Sequence, residues 1–436
     1  GTCWLTKEKD DVWVESMELP SFESVAASKK AFAEAFSLFY LEQDPVRGKT
    51  LLQAHGSRWV VQNPPARPLT TPELDSIYDL PFTRLAHPDY SAEGGIPAIQ
   101  EVQFSLVSHR GCFGSCSFCA ITSHQGRIIQ SRSKESLLRE ATLLTKMAGF
   151  KGYIHDVGGP TANFRHPSCE GQLERGTCRG RECLGSRPCP NLDTDHSEYL
   201  EILRALRALP GVKKVFVRSG IRYDYLLAGE TEPFLTELCR HHVSGQLKVA
   251  PEHVSKRVTD LMGKSGIESY LAFSEAYSRV NDKLGKEQYL VPYFMSSHPG
   301  STLSEAVELA EFLRDTGMHP EQVQDFIPTP GTLSTCMYYT GINPLTGERV
   351  PVARSAYEKR LQRALLQYRD PKNADLVREA LARAGRKDLV GTGPRCLVRP
   401  SGQHFGQGVR KPAAKDKREG GEEVGKGNNR RKGICA

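Results

Sequence analysis

Two hydrophobic periods alternate along the middle of the chain. Residues 133–147 place Leu137, Leu138, Ala141 and Leu144 at helical spacing behind Ser133, a capping residue, and Glu135. Residues 152–157 form a short apolar run that ends in Gly158-Gly159-Pro160-Thr161, the mark of a strand and its turn. The alternation repeats downstream, with helices predicted over 199–209, 233–241, 267–284 and 303–316 and strands over 213–218, 246–249, 289–295 and 322–327. Upstream, residues 102–107 alternate apolar and polar around Phe104 and Leu106, which predicts a first strand. About six β/α units in a row predict an α/β fold with a parallel sheet under covering helices. An incomplete (β/α) barrel and a doubly wound sheet both satisfy this pattern.

The flanks read differently. Residues 1–20 carry no clear pattern. Ser21 then opens a helical run with Val25, Ala26, Phe32, Ala35, Phe36 and Phe39 on one face, and Asp44-Pro45 ends it. A short strand is expected over 57–62. Asn63-Pro64-Pro65 and Pro68 start a linker, and Thr70-Thr71-Pro72-Glu73 starts a short helix. Beyond the repeating units, 330–350 reads as a Gly/Pro/Thr-rich loop, and helices are expected over 353–368 and 375–384. From about residue 401 the chain is Gly, Lys, Arg, Glu and Asn with almost no aliphatic residues, so disorder is expected. The organisation predicted is a flanking segment over 1–100, an α/β core over 101–330, a helical extension over 331–397 and a basic tail over 398–436. Because the chain opens at Gly1 in an apparent loop, residues 1–100 are expected to be the end of a truncated domain.

Charge changes the picture only at that tail. The formal net charge is +7, and much of the excess lies there, which gives nucleic acid a weak electrostatic handle. No apolar run reaches transmembrane length and no signal-peptide pattern is present, so no membrane partner is expected. Twelve cysteines would suit a secreted disulfide protein, but several fall in metal-like groups, which favours a reducing, cytoplasmic setting.

The chemistry centres on Cys112, Cys116 and Cys119, spaced C-x3-C-x2-C on the loop that follows the first strand. Gly111 and Gly114 let that loop turn tightly. Three thiolates on one short loop suit a soft metal or an iron–sulfur cluster. A four-iron cubane would keep one iron without a protein ligand, open to a small chelating molecule. A zinc knuckle completed by His109 or His124, or plain buried thiols, are the alternatives. The spacing, with Phe118 before the last cysteine, resembles the radical S-adenosylmethionine (SAM) superfamily. That likeness implies a 4Fe–4S cluster whose open iron binds SAM, and reductive cleavage of SAM to a 5′-deoxyadenosyl radical.

In parallel α/β folds the chemistry gathers at the C-terminal strand ends. Gly158 and Gly159 resemble the superfamily's glycine turn that holds the SAM amino group, although Pro160 stands where the acidic residue would be, so backbone carbonyls would act. Ser219 and Arg222 follow the third strand and suit a carboxylate or ribose. Glu252, after the fourth, can accept from ribose hydroxyls, and His253 beside it can serve acid–base work or packing. Phe118 would set its backbone against adenine. No catalytic residue is assigned. A second group, Cys169, Cys178, Cys183 and Cys189, lies in a polar insertion after Gly159 and can bind an auxiliary iron–sulfur cluster or zinc.

The stretches SHRGCFGSCSFCAITSHQGR, KGYIHDVGGPTAN, CPNLDTDH, LKVAPEH, GKEQYLVPYFMSSHPG and YRDPKN together resemble the YgiQ-like family of radical SAM proteins. The resemblance implies the incomplete (β/α) barrel with flanking N-terminal and C-terminal helical segments, and a 4Fe–4S cluster with SAM. It also implies a reductase or flavodoxin-type electron donor and an unknown substrate. Two rivals remain: an RNA-modifying, methylthiotransferase-like radical SAM enzyme, prompted by the tail and Pro328-Thr329-Pro330-Gly331, and a non-catalytic iron–sulfur or zinc binding protein.

Overall fold

The computed structural model describes residues 1–402 except Trp13, Arg181, Glu321 and Gln322. The disorder and nucleic-acid contact expected of the tail therefore fall almost wholly outside the described residues. Residues 1–400 form one body.

The N-terminal part contains a four-stranded sheet, of which the hydrophobic pattern predicted only the strand over 57–62. Strands β1 (Cys3–Thr6), β2 (Ser16–Glu18), β3 (Thr50–His55) and β4 (Arg58–Gln62) lie in the order β1-β4-β3-β2. A tight hairpin through Gly56, at φ 57°, joins β3 to β4. The helix expected from Ser21 is two helices, α1 (Phe22–Ala27) and α2 (Lys29–Leu41). Ser28 breaks the run with an extended backbone and caps α2 by accepting from the Ala31 amide. Helix α3 (Thr71–Tyr78) has the expected start, a capping box between Thr70 and Glu73 with proline in the first turn.

The predicted first strand is shorter than its pattern. Helix α4 (Ala98–Val102) takes its front, leaving β5 (Ser105–Val107) and then β6 (His109–Arg110). After α5 (Ile121–His124), β7 (Gln130–Ser131) returns antiparallel to β6 and closes the cysteine loop between them. Helix α6 (Lys134–Thr145) starts at Ser133, whose hydroxyl accepts from the Ser136 amide, and fully buries Leu137, Ala141 and Leu144. Each such aliphatic burial is worth roughly 1.5–3 kcal/mol for a leucine, far more than helix propensity supplies.

The strand expected over 152–157 is interrupted at His155, giving β8 (Tyr153–Ile154) and β9 (Asp156–Gly158). The insertion contains one short helix, α7 (Gly171–Arg175). Then come α8 (Ser197–Arg207), β10 (Lys214–Val215), α9 (Tyr223–Leu227) and α10 (Thr231–Glu237), the last continuing as a π turn over Leu238–His242. Strand β11 (Gln246–Glu252), α11 (Lys256–Met262), α12 (Ile267–Leu284), β12 (Tyr289–Ser296), α13 (Leu303–Asp315) and β13 (Gln324–Asp325) complete the alternation. All pairings among β5, β8–β10 and β11–β13 are parallel. The strands are short and, among the described residues, no pairing joins β13 back to β5, so the barrel stays open.

One core lies between these strands and α6, α8, α10 and α12, with Leu106, Ile154, Val157, Val215 and Leu247 on the sheet side. A second core joins β12 and α13 to the C-terminal helices α15 (Ala356–Leu366) and α16 (Ala374–Arg383) through Phe294, Leu309, Leu313, Leu361, Leu365 and Leu381. The stretch read as a loop over 330–350 contains helix α14 (Leu333–Thr340). Thr332 caps its start and Gly341, at φ 75°, ends it, so the residues that signalled a loop are helix boundaries. No helix among the described residues is long and apolar enough to cross a membrane.

Candidate metal and cofactor site

The site is built where β5 ends. The Ser108 amide donates to the Gly158 carbonyl at 2.7 Å. The Ser108 carbonyl accepts from the Arg132 amide at 3.0 Å and from Arg165 Nη1 at 2.7 Å. Three elements therefore fix the chain just before the thiols. The loop then leaves through Gly111, at φ 88°, where a Cβ would collide with the Ile128 carbonyl oxygen.

Within the loop, the Cys112 amide donates to the Gly126 carbonyl and the Cys119 amide to the Cys116 carbonyl, both at 3.0 Å. Ser115 sits at φ 52°, an uncommon conformation for a residue with a side chain, and its hydroxyl accepts from Arg127 Nε at 3.0 Å. Ser117 holds two other elements: its amide donates to the Met262 carbonyl at 2.9 Å, and its carbonyl accepts from the Ser334 amide at 2.9 Å. Its hydroxyl lies 2.7 Å from that of Ser334, which is 2.7 Å from His298 Nε2.

All three thiols are half-buried. Burial pushes the Cys112 thiol up to about 11, with Cys116 adding to the effect and Arg222 opposing it. Burial likewise raises Cys119, with Cys116 and Glu252 adding to it. Deprotonated thiols there need a nearby positive charge, and a metal supplies one. Among the described residues no three His, Cys, Asp or Glu side chains converge tightly enough for a single metal ion. That excludes neither a cubane nor its fit, because a cluster presents its irons at separate corners and spreads its ligands. Thiols on one glycine-hinged loop, half-buried and facing a cation, fit such a cluster.

The cation is Arg222. Its Nη1 donates to Cys116 Sγ at 3.3 Å, while Nε and Nη2 grip Asp224 at 2.8 and 2.6 Å. Gly114 makes room, since a Cβ there would sit 2.5 Å from Arg222 Nη1 and 3.3 Å from Cys112 Sγ. Burial opposes the charge on Arg222, but Asp224 and Cys116 outweigh it and keep the guanidinium charged. The fork that sequence offered to a SAM carboxylate is thus filled by Asp224.

Glu252 ends β11 at φ 68° and is half-buried. Burial raises its carboxyl, opposed by Lys264 and Arg222. The Gly158 carbonyl, read as a SAM ligand, already accepts from the Ser108 amide and hydroxyl. The Ser219 hydroxyl is bonded to Asp156. Gly159 packs against the His109 ring, where a Cβ would lie 2.7 Å from Nε2. Phe118 turns its ring edge-on to His298 at 6.0 Å. Beside the loop opens a cavity of about 930 Å³ on the strands' inner face, lined by His109, Arg110, Gly158, Gly159, Arg218 and Ser219 among others.

Several residues went unnoticed in the sequence. Asn163 clasps the Arg222 backbone, its Oδ1 accepting at 2.9 Å and its Nδ2 donating at 3.2 Å. Arg165 and Lys264 are buried. The signal for Asn163 was its place in the GGPTAN turn; nothing local marked the other two. His253 is buried and held neutral, down to about 4 by burial, and its Nδ1 accepts from the Ser255 amide at 3.0 Å, a packing role.

Residues 106–313 match the radical SAM superfamily model, 1–105 the model described as radical SAM N-terminal, and 321–433 a domain of unknown function. A UPF0313 protein of Clostridium botulinum is 57% identical over 398 residues, covering 91% of this chain and 62% of that protein. One from Clostridium perfringens is 55% identical over 408 residues, with 94% and 62% covered. The chain belongs to the YgiQ-like (UPF0313) family of radical SAM proteins. It spans about three fifths of the length of the curated relatives it matches. Among solved structures, the cobalamin-dependent SAM radical enzyme OxsB overlaps 70% of this chain and 45% of its own, at 14% identity and a TM-score of 0.43. The radical SAM methyltransferase TsrM of Kitasatospora setae overlaps 53% and 38%, at 13% identity and a TM-score of 0.33. Family membership implies a 4Fe–4S cluster and SAM for this YgiQ-like protein.

Proposed function

We propose that this chain carries the reductive SAM-cleaving centre of a radical SAM enzyme, with Cys112, Cys116 and Cys119 holding the cluster. The observation that supports this most is the thiol loop itself, set at the C-terminal end of a parallel strand with Arg222 Nη1 3.3 Å from Cys116. The cofactor pair, once bound, supplies a reducing electron and the 5′-deoxyadenosyl radical released from SAM. The chain's own residues do the positioning. Arg222 lowers the cost of burying thiolate charge, and Asp224 keeps Arg222 in place. Gly159, Glu252 and the Phe118 backbone are the contacts assigned to SAM. Gly158 and Ser219, whose polar atoms are already bonded to Ser108 and Asp156, line the cavity beside the thiol loop together with Gly159.

The test is anaerobic reconstitution with iron and sulfide, reduction by dithionite, and measurement of 5′-deoxyadenosine. Wild type should release it, and a variant with Cys112, Cys116 and Cys119 all replaced by alanine should not. A cluster-loaded wild type that neither cleaves SAM nor changes its paramagnetic spectrum on SAM addition would sink the reading.

A further inference from the structure

We propose that Cys169, Cys178, Cys183 and Cys189 hold a second, four-thiolate iron–sulfur cluster that carries electrons to the first. The four residues span a polar insertion, yet all of them line one cavity with Gln172, Thr177 and Leu192. None is in a disulfide.

The insertion is built to present them. Buried Asp44, just beyond α2, accepts from the Thr177 amide and hydroxyl, each at 2.7 Å. Arg179 pairs with Glu42 at 2.5 Å. The residues on either side of Cys178 are therefore anchored, and Cys178, though exposed, is held in place. The Cys189 amide donates to the Cys183 carbonyl at 2.9 Å, and Cys183 Sγ donates to Ser168 Oγ at 3.1 Å.

The room among the thiols favours a cluster over zinc. Four thiolates bind zinc at about 2.3 Å from one point, which draws the sulfurs together and leaves no void. The cavity measures about 30 Å³. That is about twice the room one water needs, so the thiols leave more space than a single ion fills.

Position supplies the role. Cys112 of the first group and Cys183 of the second pack against the same buried cluster, Phe113, Ile129, Phe164, Leu184 and Tyr225. Phe113 and Phe164 stack there with centroids 3.8 Å apart. Four protein thiolates satisfy all four irons, so no corner remains for SAM or substrate. The centre accepts one electron from a flavodoxin-type donor, which is oxidised, and passes it to the first cluster; no bond is made or broken. The carrier role, though not the site, rests on the first thiol loop holding its own cluster.

The experiment uses the full chain, reconstituted anaerobically with ferrous iron and sulfide. Wild type should bind about eight irons, and alanine variants lacking either cysteine group about four. The variant lacking Cys112, Cys116 and Cys119 should give a reducible paramagnetic signal that SAM leaves unchanged. The variant lacking the second group should give one that SAM shifts; loss of iron from that variant instead would count against the first site alone. In that same variant, SAM cleavage driven by a reduced flavodoxin should fall about tenfold more than cleavage driven by dithionite. Wild type with only four irons, or one zinc per chain without sulfide in the first variant, overturns the second cluster. Equal loss with both reductants overturns the carrier role.

Discussion

Removing the charge of Asp224 should cost this protein far more than an ordinary surface substitution. Arg222 and Asp224 expose 8% and 5% of their side chains and share two hydrogen bonds, at 2.8 and 2.6 Å. Burial alone would push the Asp224 carboxyl up, but the Arg222 guanidinium outweighs it and holds it below the ordinary carboxylate range. Asp224→Asn leaves a buried cation with no carboxylate partner, and breaking one side of a buried pair costs about 3–5 kcal/mol. Against a total of roughly 5–15 kcal/mol for a folded domain, that is a large fraction. The double replacement Arg222→Met with Asp224→Leu removes both charges and fills similar volume, so most of the loss should return. The assay is urea unfolding of the metal-free chain, comparing midpoints at unchanged slope. The double variant then separates folding from function, because it still lacks the cation beside Cys116. Its reconstituted cluster should be harder to reduce than the wild type's. A single-variant loss below about 1 kcal/mol, or a double variant as damaged as the single, would refute the pair's assigned role.

Two further outcomes follow from the same structure. Burial holds His109 and His298 down at about 3 and His253 at about 4, so all three stay neutral in the fold while the unfolded chain takes protons below about pH 6.5. Their contribution to stability is present above that pH and lost as it falls toward 3. Burial raises Glu182 to about 7 and works the opposite way, so the metal-free chain should lose about 2 kcal/mol between pH 6.5 and 5.5. Urea midpoints at the two values check this, and a midpoint that holds or rises refutes it. Gly111→Ala should cost about 2 kcal/mol or more and reduce iron uptake, because it adds a clash to an unfavourable φ. Gly126→Ala, at φ 85° with open space around it, should cost only about 1 kcal/mol; equal losses would show that the Ile128 contact is irrelevant.

What sequence could reveal depended on how each residue does its work. The bounds of α12 could be read directly because Tyr270, Phe273, Tyr277 and Val280 repeat on one buried face between Gly266 and Gly285. Strands β1 and β2 could not, because they join their sheet through backbone bonds to β4 and β3 and carry little alternation. Helix α14 was hidden by its own caps. At the site, the thiol spacing was local and visible. The meaning of Arg222 was not: its fork suits any carboxylate, and only folding shows that Asp224, two residues on, takes it. Arg165 and Lys264 become site residues through long-range contacts that no local pattern records.

Those long-range contacts also decide which parts of the chain the thiol loop depends on. The cut expected between an α/β core and a helical extension falls at residue 330, just before Ser334. Ser334 donates its amide to the Ser117 carbonyl, and its hydroxyl lies between those of Ser117 and the His298 imidazole. His298 Nδ1 lies 2.8 Å from the Pro299 carbonyl, a bond that only a protonated Nδ1 can donate. The ring is held neutral, so Nε2 is left to accept and Ser334 must donate to it. That fixes the order of donation, Ser117 to Ser334 to His298, with one proton on each hydroxyl and no choice of direction. Helix α14 is in turn seated by its Thr332 cap, and α15 reaches the same end of β12 through Gln362, which accepts from the Ser297 amide at 3.1 Å. The segment after residue 330 is therefore part of the wall that holds Ser117 between Cys116 and Cys119, and the extension and the thiol loop are one structural unit.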